Sequence, residues 1–405
     1  MLVFEFKAYG KSEQYSAIDE AIRTGQFIRN KCLRYWIDHP GVKRYDLNKY
    51  CAVLASEFPL ADELNSMARQ ASAERAWLAI ARFYDNCKKK ITGKKGYPKF
   101  NKNSRSIEYK TSGWKLSECR GRITFSDKKG IGKLKLKGSY DLHFYPLSQI
   151  KRVRIVRRAD GYYVQFCVDS PRLDIKERKP SKNAVGLDVG LKYFLADSQG
   201  KTVENPRFYR QAEKQLNRAN RKKSKKFKRG QTLSVNYRKA RSRYARKHLR
   251  VSRQREEFLK EVALRYIQSN DLVAYEDLNV KGMVKNRKLS KSISDAGWSR
   301  FRMWLEYFGE VYGTKTVAVP PYNTSQNCSN CGKKVQKSLS TRTHVCPHCG
   351  YVADRDTNAA INILKRGLSP VGQTGVKAWG EMPSSSVGEI LLGYGNSMNQ
   401  ESPCL

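Results

Sequence analysis

Four cysteines in the C-terminal third of the chain have the spacing of a metal site. They form two Cys-x-x-Cys pairs separated by 14 residues: Cys328, Cys331, Cys346 and Cys349. Each pair predicts a tight knuckle that directs two thiolates to one point, and two knuckles supply the tetrahedral sulfur shell that zinc prefers. Because such a shell leaves no open coordination position, we expect one structural zinc ion and not a catalytic one.

Two alternatives stay open for this segment. A single Cys-x-x-Cys pair is enough for thiol–disulfide chemistry, so a redox motif is one competing interpretation. His344 precedes the second pair and His348 lies within it, and either imidazole is able to replace a thiolate as a ligand. Ten cysteines in 405 residues are too few for a secreted disulfide scaffold.

Three acidic residues occupy positions where a carboxylate needs a partner. Asp188 lies within an otherwise apolar strand pattern, where burying a charge is costly unless it is paired or binds a metal. Glu276 ends the apolar strand pattern of residues 272–275, and Asp356 begins the last predicted helix. Three such carboxylates hold two magnesium ions about 4 Å apart, which activate a water and stabilise the leaving oxygen in phosphodiester cleavage. For any one of these acids alone, a helix cap or a surface turn is the competing interpretation.

Asp354 competes with Asp356 for the third position. Asp356, Ala360 and Ile363 fall on one face of the predicted helix, so we expect Asp356 to face the sheet that carries the other two acids. Asp354 precedes the first turn of that helix, and is therefore expected to cap it.

The charge of the chain predicts a polyanionic partner. Lys and Arg number 79 against 37 acidic residues, giving a net charge of +42. Residues 207–260 hold 21 Lys and Arg against three acids, so this segment would repel itself if it bound no phosphates. A solvated charged face is the competing interpretation. The residues predicted to contact nucleic acid are Lys222, Lys223, Lys225, Lys226, Lys228, Arg229, Arg238, Lys239, Arg241 and Arg243.

Aromatic residues are interleaved with these charges. Phe227, Tyr237 and Tyr244 are candidates for stacking on bases. Packing into a core is an equally good interpretation for each of the three.

Membrane and secreted classes are disfavoured. No run approaches about 18 apolar residues, and the N-terminus has Glu5 and no long apolar region, which argues against a spanning helix and a signal peptide. We therefore expect a cytoplasmic protein, associated with the nucleoid when bound to DNA, with no membrane partner.

The hydrophobic periodicity predicts several layers of structure. A strand at 2–8 precedes helical patterns within 12–90, and alternation from about 100 to 170, with a hairpin turn at Asp160-Gly161, predicts further strands. A strand, a helical insert and more strands predict a small barrel interrupted by a helical domain. Residues 368–405, rich in Gly and Ser, are expected to form a flexible tail.

Four motifs, in the order in which they occur along the chain, together resemble those of the TnpB family. TnpB proteins are transposon-encoded RNA-guided nucleases and are similar to type V CRISPR effectors. The resemblance is close over 183–366 and holds in outline over 1–182, where it includes Gly96-Tyr97-Pro98-Lys99-Phe100. The four motifs are Gly186-Leu187-Asp188-Val189-Gly190, Tyr275-Glu276-Asp277-Leu278, Thr324-Ser325-Gln326 with the first cysteine pair and Gly332, and Asp354-Arg355-Asp356 with Asn358, Ala359, Ala360, Asn362 and Ile363.

The resemblance implies a multidomain α+β fold. An N-terminal β-barrel, the wedge, with a helical insert would precede an RNase H-like α/β RuvC domain that contains an inserted zinc ribbon. The implied bounds are 1–11 and 93–182 for the wedge, 12–92 for the helical recognition domain, 183–322 and 352–367 for the RuvC-like domain, 323–351 for the zinc ribbon, and 368–405 for the tail.

The resemblance also implies an activity. The family's catalytic acids, which bind magnesium, would fall on Asp188, Glu276 and Asp356. The partners would be a guide RNA from the transposon end and a double-stranded DNA target. An RNA-guided DNA endonuclease is therefore the leading interpretation. The alternatives are a guided DNA-binding repressor that does not cleave, a DNA-strand transferase and a basic RNA-binding structural protein; the three intact acids argue against the repressor.

Overall fold

The computed structural model describes residues 2–90, 92–169, 180–338 and 341–369. They form two compact units, 2–169 and 180–369. The predicted tail lies outside the described residues from 370 onward, and its first residue, Leu368, is the last residue of a helix. No helix in the described part of the chain has the length and apolarity needed to cross a membrane.

The N-terminal unit contains an antiparallel sheet of seven described strands. In spatial order the sheet runs β2-β6-β7-β1-β5-β4-β3. Its two edge strands, β2 and β3, are separated by only Thr111–Gly113, so the sheet must curl until its edges approach each other. The strands are β1 (Leu2–Tyr9), β2 (Ser106–Lys110), β3 (Trp114–Leu116), β4 (Arg122–Phe125), β5 (Gly132–Lys137), β6 (Ile150–Arg158) and β7 (Gly161–Val168). The predicted turn at Asp160-Gly161 joins β6 to β7 and is confirmed.

Four helices are inserted between β1 and β2. Their bounds are α1 (Ser12–Asp38), α2 (Arg44–Glu57), α3 (Pro59–Asp62) and α4 (Ser66–Lys88). Alanines on the buried face of α4 let it pack closely on α1 and β2, and Asn65 caps its first turn by accepting from Met67 N at 2.8 Å. Arg75 interrupts the apolar stripe of α4 because it pairs with the buried Glu108 of β2, at 3.6 Å.

The C-terminal unit is built on a sheet of five described strands in the order β10-β9-β8-β11-β12. Strands β8, β11 and β12 are parallel, and β9 and β10 add antiparallel pairs at one edge. The strands are β8 (Ala184–Val189), β9 (Tyr193–Asp197), β10 (Thr202–Glu204), β11 (Leu272–Glu276) and β12 (Lys315–Val319).

Helices cover both faces of this sheet. The helices of this unit are α5 (Phe208–Ser224), α6 (Val235–Ser269), α7 (Val280–Met283), α8 (Ser290–Ala296), α9 (Trp298–Tyr312) and α10 (Arg355–Leu368), of which α6 and α9 pack on one face and α10 on the other. Val273 and Tyr275 of β11 pack on one face with residues of α6 and α9, whereas Leu272 and Ala274 pack on the other face with Ile363 of α10. Alternate residues of one strand thus serve two cores, as strand geometry requires.

A short hairpin lies between β12 and α10. Its strands are β13 (Thr343–Val345) and β14 (Val352–Asp354), which pair antiparallel. Cys346 and Cys349 lie in the turn that joins its strands, whereas Cys328 and Cys331 precede it and follow the loop that leaves β12 at residue 320.

Candidate active site and metal centre

Asp188 and Glu276 lie at the carboxyl ends of neighbouring parallel strands. The register of β8 and β11 pairs Leu187 with Tyr275, which places Asp188 and Glu276 side by side at the next position. Leu187 and Tyr275 belong to the α6 and α9 face, so the alternation directs the two acids to the opposite face, which α10 covers. The carboxyl edge of parallel strands is where open α/β sheets form their sites.

Gly186 brings α10 directly against the strand that carries Asp188. A Cβ atom at Gly186 would lie 2.1 Å from the carbonyl oxygen of Ala360 and 2.7 Å from the nitrogen of Leu364. The backbones of β8 and α10 are therefore in contact, and only glycine permits this approach. Asp356 lies one turn before Ala360, so the close packing carries it to the end of the sheet where Asp188 lies.

The three acids interact electrostatically. The pKa of Asp188 is held well above its usual value, first by burial and then by the negative charges of Glu276 and Asp356. Asp356 is half-buried and forms ion pairs with Arg355, at 3.0 Å, and Arg342, at 3.5 Å. The three predicted acids thus lie close enough for their charges to interact, in a concentration of negative charge that suits a cation, although their oxygens do not form a group as compact as the cysteine sulfurs.

Asp354 has the capping role predicted for it. Its carboxylate accepts hydrogen bonds from the backbone nitrogens of Asp356, at 2.8 Å, and Thr357, at 3.2 Å. It therefore satisfies two of the free N–H groups in the first turn of α10.

Thr324 holds Glu276 and was not assigned a role from the sequence. Its buried hydroxyl donates to Glu276 Oε1 at 2.5 Å. Burial raises the pKa of Glu276, and the Thr324 hydrogen bond and the charge of Arg366 lower it in part. The available signal was the position of Thr324 in the Thr-Ser-Gln motif before the first cysteine pair.

The four cysteine sulfurs converge on one point. All four Sγ atoms lie within 4.8 Å of one another, and no other such group of His, Cys, Asp or Glu was found in the described residues. Cys328 and Cys349 are 3.7 Å apart at sulfur, and Cys331 and Cys346 are 3.6 Å apart. A tetrahedron with Zn–S bonds of about 2.3 Å has sulfurs about 3.8 Å apart, so the cluster fits a four-thiolate shell.

Each knuckle is built in the same way. The nitrogens of Gly332 and Gly350 donate to the carbonyls of Cys328 and Cys346, at 2.9 and 3.0 Å. Both glycines have positive φ, +75° and +70°, which a side chain would disfavour.

The alternatives for this segment find no support in the geometry. His344 is buried and its Nδ1 contacts Lys337 Nζ, and His348 is exposed; neither belongs to the sulfur cluster. A redox motif needs only one Cys-x-x-Cys pair, whereas here both pairs contribute sulfurs to one cluster.

The basic segment forms two packed helices, α5 and α6, with a connecting loop. Nine of the ten residues predicted to contact nucleic acid are exposed on this hairpin. Lys223 is different, because it is 7% exposed and its ammonium lies 4.7 Å from the ring centre of Tyr244. The prediction of a phosphate contact is therefore not supported for Lys223, whose charge is covered by an aromatic ring.

The interleaved aromatic residues divide between surface and core. Tyr237 is buried and contacts the exposed ring of Phe227. Packing is therefore the better interpretation for Tyr237.

A buried aspartate fixes the start of α5. Asp295, from α8, accepts from Tyr209 N at 3.0 Å and pairs with Arg255 of α6 at 3.1 Å. The residue preceding α5, Arg207, provides no side-chain cap, so Asp295 supplies it from a distant part of the chain. Sequence spacing gives no sign of this role, because 86 residues separate Asp295 from Tyr209.

Two family models match the chain. Residues 165–287 match "Probable transposase" and residues 298–363 match "Cas12f1-like, TNB domain". The Cas12f1–sgRNA–target DNA complex, solved by cryo-EM, contains a chain that aligns with a TM-score of 0.54 at 14% identity, covering 89% of this chain and 84% of that one. The chain thus has a Cas12f-like multidomain fold of α and β layers with a curled sheet.

Sequence relatives specify the family. A "Putative RNA-guided DNA endonuclease" of Streptomyces pristinaespiralis is 30% identical over 382 residues, covering 90% of this chain and 89% of the relative. "Putative RNA-guided DNA endonuclease InsQ" of Escherichia coli K12 is 28% identical over 306 residues, covering 71% of each. The chain belongs to the TnpB family, as the order of its motifs predicts.

Proposed function

We propose that this protein is an RNA-guided DNA endonuclease that hydrolyses phosphodiesters at Asp188, Glu276 and Asp356. One observation carries the proposal: two carboxylates adjoin on neighbouring strands, on the face covered by the helix that supplies the third. The names of the relatives and the match to the transposase model support the same activity.

Magnesium is the cofactor that suits this donor set, because hard divalent cations prefer carboxylate oxygens. Asp188, Glu276 and Asp356 would hold two such ions, which would supply an activated water and stabilise the leaving oxygen. The protein itself orients the acids: β8 and β11 fix two of them, α10 fixes the third, and Thr324 holds Glu276.

The four-cysteine cluster is proposed to bind one structural zinc ion. Its donor set is all sulfur and closed, so the ion would stabilise the hairpin and take no part in hydrolysis.

We further propose that the two units are the domains that the family resemblance implies. The curled sheet of the N-terminal unit would be the wedge, with α1–α4 as its recognition insert. The sheet order β10-β9-β8-β11-β12 supports an RNase H-like, RuvC-type domain. The zinc ribbon implied at 323–351 contains the four cysteines and β13, but β14 at Val352–Asp354 pairs with β13, so the hairpin extends past that bound.

The proposed partners are a guide RNA from the transposon end and a double-stranded DNA target. The net charge of +42 and the exposed Lys and Arg of α5, α6 and their loop supply phosphate contacts. Base pairing with the guide would select the target, so the protein needs few contacts to base edges.

The direct test compares the wild type with Asp188→Asn, which keeps the size of the side chain and removes its charge. Purified complexes, loaded with the RNA that co-purifies, are assayed for Mg²⁺-dependent DNA cleavage and for guided DNA binding. We expect Asp188→Asn to abolish cleavage and to leave the Kd for DNA within about twofold, because affinity depends on phosphate contacts and pairing.

Two results would contradict the proposal. Cleavage by Asp188→Asn at the wild-type rate would remove Asp188 from the site. Guided binding by the wild type without cleavage, at any Mg²⁺ concentration, would favour a guided repressor.

A further inference from the structure

A second basic surface lies on the N-terminal unit, outside the segment already assigned to nucleic acid. Residues 86–107 contain eight Lys and Arg and no acid. The positive residues are Lys88, Lys89, Lys90, Lys94, Lys95, Lys99, Lys102 and Arg105. Nearby acids are Asp85, which is exposed, and Asp38, which pairs with Arg34 at 3.6 Å.

Aromatic rings are grouped on the same surface. Tyr97 is 52% exposed and Tyr84 46% exposed, although both contact other rings. The ring centre of Tyr97 lies 5.7 Å from that of Trp36 and 5.2 Å from that of Phe83. Trp36 Nε1 also donates to the Tyr84 hydroxyl at 2.9 Å, so the rings are fixed relative to one another.

The loop that carries Tyr97 is anchored to two helices. Asn30 of α1 makes two hydrogen bonds to the backbone of Asn101, each 2.8 Å long. Asn86 of α4 donates to the Lys95 carbonyl at 3.0 Å, and Pro98 is buried. The exposed rings are therefore held in place before any partner binds, which lowers the entropy cost of binding.

We propose that this surface, residues 84–90 and 92–100 together with Trp36, binds unpaired nucleotides of the RNA partner, and the proposal rests on the proposed function. Exposed rings among lysines provide a stacking face and phosphate neutralisation together, which is how single strands are bound. RNA is the better occupant because folded RNA presents unstacked bases in loops and bulges, whereas a DNA target arrives as a stacked duplex.

The test uses nucleic-acid-free protein and a labelled 12-nucleotide single-stranded RNA. Tyr97→Ala should weaken its binding about fivefold or more and leave binding of a 12-base-pair RNA duplex unchanged, because only unpaired bases stack. Tyr97→Phe keeps the ring and should bind like the wild type. Lys94→Gln should weaken the binding of both the single-stranded RNA and the duplex, and should reduce the salt dependence of that binding.

A photocrosslinking arm locates the contact. RNA containing 4-thiouridine should crosslink within residues 95–102, and the crosslink should disappear with excess unlabelled single-stranded RNA. Unchanged affinity of Tyr97→Ala with no crosslink in this segment would overturn the proposal. Preferential crosslinking to single-stranded DNA would assign the surface to DNA instead. Neither result depends on cleavage, so each is distinct from failure of the proposed function.

A separate observation concerns the loop between β12 and the cysteine cluster. Side chains of α10 hold this loop at several points. Asn362 Nδ2 donates to the carbonyls of Thr324, at 2.9 Å, and Asn327, at 2.7 Å. Asn358 is fully buried, donates to Asn327 O at 2.8 Å and accepts from Ser329 N at 2.8 Å.

Thr324 connects these hydrogen bonds of α10 to one of the three acids, Glu276. It is 2% exposed, its carbonyl is held by Asn362, and its hydroxyl is held against Glu276. Helix α10 thus carries Asp356 and is linked to Glu276 by hydrogen bonds through Asn362 and Thr324.

We infer that Thr324 is a positioning residue for Glu276, and that α10 sets two of the three carboxylates. This inference also rests on the proposed function. A hydroxyl that donates to one carboxylate oxygen leaves the other oxygen directed at a cation, and loss of such an outer hydrogen bond typically lowers metal affinity about 10- to 100-fold.

The matched variants are Thr324→Val, which keeps the shape and removes the hydroxyl, and Thr324→Ser, which keeps the hydroxyl. Mn²⁺ binding to the protein without DNA, followed by electron paramagnetic resonance, should weaken about tenfold or more in Thr324→Val and stay within about twofold in Thr324→Ser. Half-maximal cleavage should require correspondingly more Mg²⁺ in the valine variant, with guided DNA binding unchanged.

Thermal melting of each variant checks that it is folded. Thr324→Ala is a second variant without the hydroxyl, and its smaller side chain fits the same space. Wild-type Mn²⁺ affinity in both hydroxyl-free variants would overturn the inference. Since Asp188→Asn tests the site itself, that result would leave the proposed function standing.

Discussion

Asp354 and Asp356 are chemically identical, yet their surroundings differ. Asp354 is exposed and bonded to backbone N–H groups, whereas Asp356 is half-buried and faces Arg342 and Arg355. Asp354→Ala should lower the free energy of unfolding by about 1 kcal/mol and keep most of the cleavage activity. Asp356→Ala should eliminate cleavage, because it removes a proposed metal ligand.

Both variants are assayed together for cleavage and thermal melting. An inactive but well-folded Asp354→Ala, beside an active Asp356→Ala, would reverse the two assignments.

Glu108 shows the same dependence on surroundings inside the N-terminal unit. It is buried and pairs with Arg152 at 2.7 Å and Arg154 at 3.0 Å. Burial alone would raise its pKa, but Arg154, Arg75 and Arg152 outweigh burial and lower the pKa to about 2.

A pKa lowered on folding makes stability depend on pH. The contribution of Glu108 to the free energy of unfolding is present above its unfolded pKa of about 4.5 and is lost as the pH falls toward 2, an effect of about 3 kcal/mol.

Glu108→Gln should destabilise the protein by about 3–5 kcal/mol at pH 7, because buried arginines lose their partner. Urea unfolding at pH 7, 5 and 3.5 should show the difference between wild type and variant shrinking with acidity; a constant difference would contradict the ion-pair interpretation.

At the scale of elements, the contact between β8 and α10 decides whether the acids meet. Gly186→Ala places a methyl group against the Ala360 carbonyl and the Leu364 nitrogen, so α10 must move away. We expect a loss of about 1–3 kcal/mol in stability and a larger loss of cleavage, because Asp356 moves with the helix.

Gly121→Ala is the matched control, since a Cβ there meets nothing closer than 3.7 Å. Melting temperature and cleavage rate are measured for both. Wild-type cleavage by Gly186→Ala would show that the close approach is not needed to form the site.

At the scale of the whole molecule, the net charge of +42 opposes compactness. Without nucleic acid, the melting temperature should rise with NaCl from 50 to 500 mM, because the Debye length shortens from roughly 14 Å to 4 Å and screens the repulsion. With bound RNA, the melting temperature should be highest at low salt and fall toward that of the free protein as salt weakens the complex.

Parallel melts of RNA-bound and RNA-free protein check this expectation. Equal melting temperatures of the two forms at low salt would mean that the charges are balanced within the fold. A melting temperature of the RNA-free protein that does not change with salt would mean the same.

The sequence by itself determined the local features of the two candidate sites. Two Cys-x-x-Cys pairs predict the sulfur cluster because each knuckle is local, and the structure contains that cluster. The turn at Asp160-Gly161 and the capping role of Asp354 also depend on near neighbours, and both were predicted correctly.

Only the tertiary structure decided which distant groups meet. The hydrogen bond from Thr324 to Glu276 spans 48 residues, and the cap that Asp295 provides to α5 spans 86. Lys223 looks like its exposed neighbours in sequence but lies beneath Tyr244. Composition and periodicity report local preferences, whereas such partners are chosen by strand register and helix packing, which bring together residues far apart in the chain.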